Sequence, residues 1–550
     1  MAHAIMIQGT MSNVGKSLLA AGLCRVFYQD GHRVAPFKAQ NMALNSFITR
    51  EGLEMGRAQV VQAEAAGLEP SALMNPILLK PTGDSGSQLI VNGEVRGQYS
   101  AREYFAMKKD LVPDVMQAYR TLTAQNDIII IEGAGSPAEI NLNKNDYFVN
   151  MGMARAANAP VLLVGDIDPG GVFAQLYGTA ALLRPEERAF LKGVIINKFR
   201  GDESLLTPGI RQLEELVQLP VLGVVPYLHL DIDDEDSLSG RLTNKTPAPV
   251  DIAVIHLPHI SNFTDFRALE AVDGVSVRYV KSVRQLGEPD LIVLPGTKNT
   301  MADLLWLRQN GLEARILHFS ANGGPVFGIC GGYQMLGEEL RDPLGVEHGG
   351  TLRGLGLLPV STTFTEQKTR TRVHGRFGRV DGLFSALSEK EFEGYEIHMG
   401  VTSVCRSVAS AEDRSSSGSS SGSAADFAGK SPRVSGSSSE AAAGFTGHTV
   451  NEARQGSLAA LHDSLSGHTY LDGFWQGNVY GTYVHGILDS EEIAGAILRA
   501  LAEAKGVSLS ELGNVRGEAY RQQQYDHLAD ALRAHLNLPV IYRILEEGIS

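Results

Sequence analysis

The sequence predicts an α/β protein of two domains with largely parallel sheets, and three features predict it. Through residue 232, short and almost wholly apolar runs alternate with helix-length stretches, the pattern of strands covered by helices on both faces. A second alternation begins at residue 250, behind an acidic and then Pro/Thr-rich stretch, DIDDEDSLSGRLTNKTPAP (231–249). Each run carries a glycine-rich turn of the kind that joins a strand to a helix, one around Gly15 and one around Cys330.

Ala4–Gln8 reads as the first strand, followed by Gly9-Thr-Met-Ser-Asn-Val-Gly-Lys-Ser and a helix over Lys16–Asp30. Backbone N–H groups of such a loop, backed by the helix N-terminus, cradle phosphates. Thr10, Asn13, Val14, Gly15, Lys16 and Ser17 are therefore the candidate ATP-binding residues, with Lys16 at the terminal phosphates and Ser17 on Mg²⁺. The first glycine stands at Gly9, and Thr10 occupies the place that glycine usually takes. Further strands are read at Arg33–Phe37, Asp127–Ile131, Pro160–Val164, Gly193–Ile196 and Pro220–Val225, with helices at Tyr104–Gln125 and Phe148–Asn158. Glu132 closes the most apolar of these strands, where ligands of open α/β sheets collect. It is predicted to hold Mg²⁺ with Ser17; a solvated loop carboxylate is the alternative. Asp166 and Asp168 have a weaker claim to a similar place. Asn197 is predicted at the nucleotide base, with a plain turn equally open.

The second alternation reads as strands at Asp251–His256, Ser276–Val280, Asp290–Leu294 and Pro325–Ile329. The last enters Val326-Phe-Gly-Ile-Cys-Gly-Gly-Tyr-Gln-Met-Leu, a thiol counterpart of the nucleophile elbow. Cys330 is the predicted nucleophile, and Gly328, Gly331 and Gly332 are read as serving the tight turn rather than packing. Thiol chemistry needs a base, and His485 in VYGTYVHG is the candidate. The group that orients it stays open between Asp489 and Glu396. Gly296, in the strand-ending LPGTKNT, is paired with Gly331 as a source of oxyanion-hole N–H groups. Short alternating segments follow, and then a Ser/Gly-rich stretch in which 14 of the residues 407–440 are serine. Such a composition buries too little apolar area to offset its ordering entropy, so a disordered insert is expected over about 406–456. The domain boundaries read as 1–232, a linker at 233–249, 250–490, and a helical segment at 491–550.

With 48 Lys and Arg against 62 Asp and Glu, net charge is −14, which excludes a broad nucleic-acid footprint. No apolar run reaches the roughly 18 residues of a membrane span. Three cysteines in 550 residues and no charged leader at Met1 lead to the expectation of a cytoplasmic protein in a reducing compartment. A homodimer is left open.

An ATP loop and a Cys–His glutaminase in one chain already describe a chemistry. ATP turns an unreactive carboxylate into an acyl phosphate, and ammonia freed from glutamine displaces the phosphate.

Several segments resemble the cobyric acid synthase family: PFKAQNMALNS (36–46), EMGRAQVVQAEAAGLEP (54–70), NPILLKPTGD (75–84), IEGAGSPAEINL (131–142), LPGTKNT, GICGGYQMLG, GYEIHMG (394–400) and YGTYVHGIL. The resemblance implies a dethiobiotin synthetase-like ATPase domain followed by a flavodoxin-like, class I-type glutamine amidotransferase domain. It implies amidation of the b, d, e and g carboxylates of adenosylcobyrinic acid a,c-diamide, with ATP, Mg²⁺ and glutamine. Glutamine amidotransferases of the class I triad type commonly carry Glu two residues after the histidine, where this chain has Ile487. Lys38, Gln40, Asn41, Asn45, Arg57, Lys80 and Asp146 fall in the matching polar stretches and are expected to contact the corrinoid. The cations among them would pair with its carboxylates. The rivals are the a,c-diamide synthase of the same pathway and a non-catalytic ATP-binding scaffold with a decayed glutaminase.

Overall fold

The computed structural model describes residues 2–82, 86–140, 146–232, 248–405 and 456–549. Most of the linker and most of the Ser/Gly-rich stretch expected at 406–456 lie outside these described residues.

The first domain is built on β1 (His3–Gly9), α1 (Lys16–Gln29), β2 (Val34–Phe37), α2 (Arg57–Ala65), β3 (Ile128–Glu132), β4 (Val161–Asp166), β5 (Leu191–Phe199) and β6 (Val221–Pro226). The six strands form one sheet in the order β6-β5-β4-β1-β3-β2, every pair parallel. Fully buried strands need no alternation, which is why β3 reads IIIIE without a polar interruption. The carboxyl ends of β1, β3, β4 and β5 all open on one edge, where the phosphate-loop residues and Glu132 gather. Beside this sheet, Gln40–Met42, Ile77–Pro81, Gly86–Val91 and Glu94–Ser100 make a second, four-stranded one.

The second domain repeats the plan with β7 (Val250–Ile255), β8 (Val275–Val280), β9 (Leu291–Leu294), β10 (Val326–Ile329), α3 (Gly331–Leu336), β11 (Phe474–Gln476) and β12 (Val479–Thr482). The order is β8-β7-β9-β10-β12-β11, parallel except for the edge pair β11–β12. A further, mainly antiparallel sheet runs through the long strands Val360–Phe377 and Glu391–Val404. The segment read as short and alternating is thus a pair of long strands.

Three helices end the chain: α4 (Glu491–Lys505), α5 (Glu518–His535) and α6 (Leu538–Glu547). The sequence grouped them as one segment, but they serve different domains. α4 packs into the second core through Ile493, Ile497 and Leu501. α5 and α6 cross back to the first, where Leu528, Leu532, Ile541 and Leu545 join the core that holds α1 and β1. Contact with α1 is close enough that a Cβ at Gly22 would lie 2.4 Å from Leu532 Cδ1. Arg25 on α1 reaches Asp526 on α5 at 2.8 Å. The first domain therefore does not close at residue 232; its last two helices come from the far end of the chain.

Candidate active site

The phosphate-loop residues come together as the sequence predicts, and the loop is held from below. Asn197, at the end of β5, donates its amide to the Val14 carbonyl at 2.8 Å. A Cβ at Gly15, where φ is +95°, would sit 2.2 Å from that same amide nitrogen, so only glycine fits. Asn197 is thus a strut beneath the loop. Lys198 beside it also turns to the loop; its Nζ reaches the Asn13 carbonyl at 2.5 Å and Asp166 at 2.8 Å. Thr10 pairs with Gln175 at 3.2 Å, and Lys16 curls back to the Met11 carbonyl at 3.0 Å.

The Ser17 hydroxyl donates to Glu132 at 2.8 Å. The same buried carboxylate accepts from Lys38 at 2.8 Å and from Gln62 at 2.6 Å. Lys38 therefore stands at the phosphate end of the first domain. A hydroxyl and a carboxylate in contact are the hard oxygen pair that Mg²⁺ takes beside phosphate oxygens and waters, so these residues fit the ion. Among the described residues no cluster of three or more His, Cys, Asp and Glu could hold a metal by itself.

Next to this edge lies a cavity of about 510 Å³, walled by Gln40, Tyr99, Tyr104, Phe105, Lys108, Ser136, Glu139 and Asp146 among others. The mixture of aromatic faces and a few polar groups suits a large organic ligand. Gln40 is fixed by the Tyr104 hydroxyl at 2.6 Å. The Asp146 carboxylate is engaged by the backbone N–H groups of Val149, Asn150 and Gly152, at 2.8 to 3.1 Å, and so also shapes the turn. Of the seven residues expected to contact the corrinoid, Gln40 and Asp146 line this cavity. Lys38, Asn41, Asn45, Arg57 and Lys80 do not.

In the second domain Cys330 sits between β10 and α3 with φ +51° and ψ −109°, a conformation that L side chains rarely adopt. The glycines around it do pack, contrary to the sequence reading. A Cβ at Gly332 would lie 1.9 Å from the Leu294 carbonyl oxygen, and one at Gly331 would lie 2.6 Å from Thr297 Cγ2. That closeness presses LPGTKNT against the elbow, so Gly296 and Gly331 both flank the site. A Cβ at Gly296 would be 2.9 Å from the His485 ring.

His485 is buried, and its ring stacks on Tyr395 with centroids 5.5 Å apart. Its Nδ1 bonds neither Asp489 nor Glu396. The partner is Asp265, whose Oδ2 lies 2.7 Å away while its Oδ1 accepts from Gly486 N at 3.1 Å. Ile487, standing where Glu is usual, is instead packed in the core. Burial opposes a charge on the ring, but Asp265 and a hydrogen bond with Cys330 outweigh it and raise His485 to about 10. The arrangement is a thiol, a base and an orienting acid, brought together from three different segments.

Asp265→Asn keeps the shape and removes the charge, so glutamine hydrolysis should fall by about 10⁴-fold, as when a serine-hydrolase triad loses its acid. A raised histidine stabilises the fold fully below its ordinary value of 6.5, and that contribution is lost as pH rises through about 10. The gap in Tm between wild type and Asp265→Asn should therefore be widest at pH 6 to 7 and narrow towards pH 10. A gap independent of pH would show that the pair does not carry the proton.

Comparison with known proteins agrees with this two-site layout. The CobQ/CobB/MinD/ParA nucleotide binding domain matches residues 5–237, and the CobB/CobQ-like glutamine amidotransferase domain matches residues 251–439. The cobyric acid synthase of Ruminiclostridium cellulolyticum is 54% identical over 100% of this chain and 98% of its own length. That of Lachnoclostridium phytofermentans is 52% identical over the full length of both. This chain belongs to the cobyric acid synthase family. The relationship reaches beyond these two, since the Yersinia enterocolitica member is 46% identical over 99% of this chain and 98% of its own. Family membership makes the chain a glutamine-dependent, ATP-using amide ligase. Among the described residues, no helix is long and apolar enough to cross a membrane.

Proposed function

We propose that this chain converts adenosylcobyrinic acid a,c-diamide to adenosylcobyric acid in the cytoplasm, amidating the b, d, e and g carboxylates with one ATP and one glutamine for each. The observation that carries the reading is full-length identity of 54% to a cobyric acid synthase, in a chain that keeps both the phosphate loop and the Cys330–His485–Asp265 arrangement.

The acceptor carboxylate lies in the cavity beside Gln40 and Asp146 and attacks the terminal phosphorus of ATP, breaking its bond to the β–γ bridging oxygen, so that ADP leaves and an acyl phosphate forms. Lys16 and the loop N–H groups stabilise the charge that develops on the transferred phosphoryl group. Mg²⁺, held by Ser17 and Glu132, would neutralise phosphate charge there. In the other domain the Cys330 thiolate attacks the δ-carbon of glutamine, and the resulting oxyanion is met by the N–H groups of Gly296 and Gly331. His485 gives a proton to the leaving ammonia and then draws one from the water that hydrolyses the thioester, with Asp265 holding its ring throughout. Ammonia displaces phosphate from the acyl phosphate.

Mass spectrometry of the corrinoid after incubation with ATP, Mg²⁺ and glutamine tests the reading. Each acid converted to an amide lowers the mass by about one dalton and consumes one ATP. Four steps on the a,c-diamide are expected. No step on it, but two on unamidated cobyrinic acid, would transfer the chain to the a,c-diamide synthase activity.

A further inference from the structure

The cavity at Cys330 contains a residue that belongs to the other domain. Its wall is made by Thr297, Lys298, Thr300, Gln334, Glu347 and Lys368 of the amidotransferase domain, together with Lys80, from the Ile77–Pro81 strand of the first. Lys80 is 4% exposed, and its Nζ reaches Glu54 and Ser46, each at 2.9 Å. Glu54 is fully buried and also takes Lys368, across the domain boundary, at 2.6 Å. Two ammonium groups thus share one carboxylate beside the nucleophile, with Lys298 close by. Burial first, and then the neighbouring Lys80 and Lys298 against the pull of Glu54, push Lys368 down to about 7. A buried cluster with more cations than anions is costly unless another anion completes it. At the other side of the cavity, Glu347 accepts from Met301 N at 3.1 Å, and burial raises its carboxyl to about 7.

We infer that Lys80 completes the glutamine site from the ATPase domain: with Lys368 it binds the α-carboxylate of glutamine, and Glu347 takes the α-ammonium. Free glutamine is distinguished from a glutamine side chain in a protein only by those two charges. They lie a few bonds beyond the δ-carbon that Cys330 attacks, so a receptor for them must be in this cavity. Lys80 is then a glutamine-binding residue rather than a corrinoid contact, and the glutaminase is whole only when the two domains are docked. The inference rests on the amidotransferase chemistry and not on the identity of the corrinoid.

The test uses the full chain and reads glutamate release without corrinoid, so it stands even if the acceptor proves to be another acid. Lys80→Met should raise the KM for glutamine on the order of 100-fold, since one partner of a buried charge pair is removed. A decarboxylated glutamine, 4-aminobutanamide, supplies the second arm. Wild type should use it on the order of 100-fold less well than glutamine, and the variant should scarcely distinguish the two. A merely structural lysine would leave that discrimination intact. Lys80→Gln keeps a polar group against Ser46 and Glu54 and takes the place of the methionine variant if the latter does not fold. The inference is overturned by a folded variant whose glutamine KM stays within about twofold of wild type, or by one that still prefers glutamine over the analogue as strongly as wild type does.

Discussion

Cys330→Ala should lose glutamine-dependent amide formation by about 10⁶-fold, the scale on which hydrolases lose turnover when the nucleophile is removed. The substitution is a clean one. Alanine keeps the Cβ, so the backbone at φ +51° is held as before, and the group removed is a thiol that reaches the Ile397 carbonyl at 3.6 Å and hydrogen-bonds with His485. Among the described residues, none of the phosphate loop at Thr10–Ser17 lines the cavity that holds it. Amidation supplied with ammonium salts should accordingly proceed at close to the wild-type rate, measured as corrinoid amide formed per ATP hydrolysed. Loss of both activities would mean that the two sites cannot work apart.

Lys16→Ala has the opposite signature, stopping amide formation from glutamine and ammonium alike by about 10³-fold. Lys16 is nearly buried, with its stem packed so closely under the loop that a Cβ at Gly9 would come within 3.0 Å of its Cδ. The neighbouring cations cannot substitute for it, because Lys38 is paired with Glu132 and Lys198 with Asp166. Persistent ammonium-dependent synthesis, followed by ATP hydrolysis and corrinoid mass, would overturn the assignment of this loop to ATP.

What was legible in the sequence is what is local in the chain. The phosphate loop and the cysteine elbow each occupy about ten consecutive residues between a strand and a helix, and their glycines, lysine and thiol announce themselves by spacing. Asp265 does not, because it meets His485 across 220 residues and sits in SNFTDF, which carries no recognisable pattern. The signal that did exist was negative: Ile487 in the usual place of Glu required an acid from elsewhere. The place of Lys80 was not legible for a similar reason. Its neighbourhood in KPTGD is polar, and only the docking of two domains shows that it faces the thiol. The glycines after Cys330 were read for backbone freedom alone, whereas the approach of Leu294 to Gly332 is a tertiary fact.

The return of α5 and α6 to the first domain also bears on how the protein is made. His3 Nδ1 and the Leu545 carbonyl are 3.1 Å apart, so the first strand leaves the ribosome early and waits for a partner that leaves last. At about 5–20 residues per second, that wait lasts for tens of seconds. During it, the face of α1 around Gly22 and the flank of β6 at Gly223 stay uncovered, whereas the parallel sheet of the amidotransferase domain is complete once Thr482 has emerged. Birth order and order of completion are therefore reversed: the first domain has all its strands once Pro226 is out, but the helices that cover them follow only after the second domain's sheet is whole. The ATPase domain acquires its full core only when nearly the whole polypeptide exists, so a nascent chain cut short has a finished glutaminase sheet beside an unfinished ATPase.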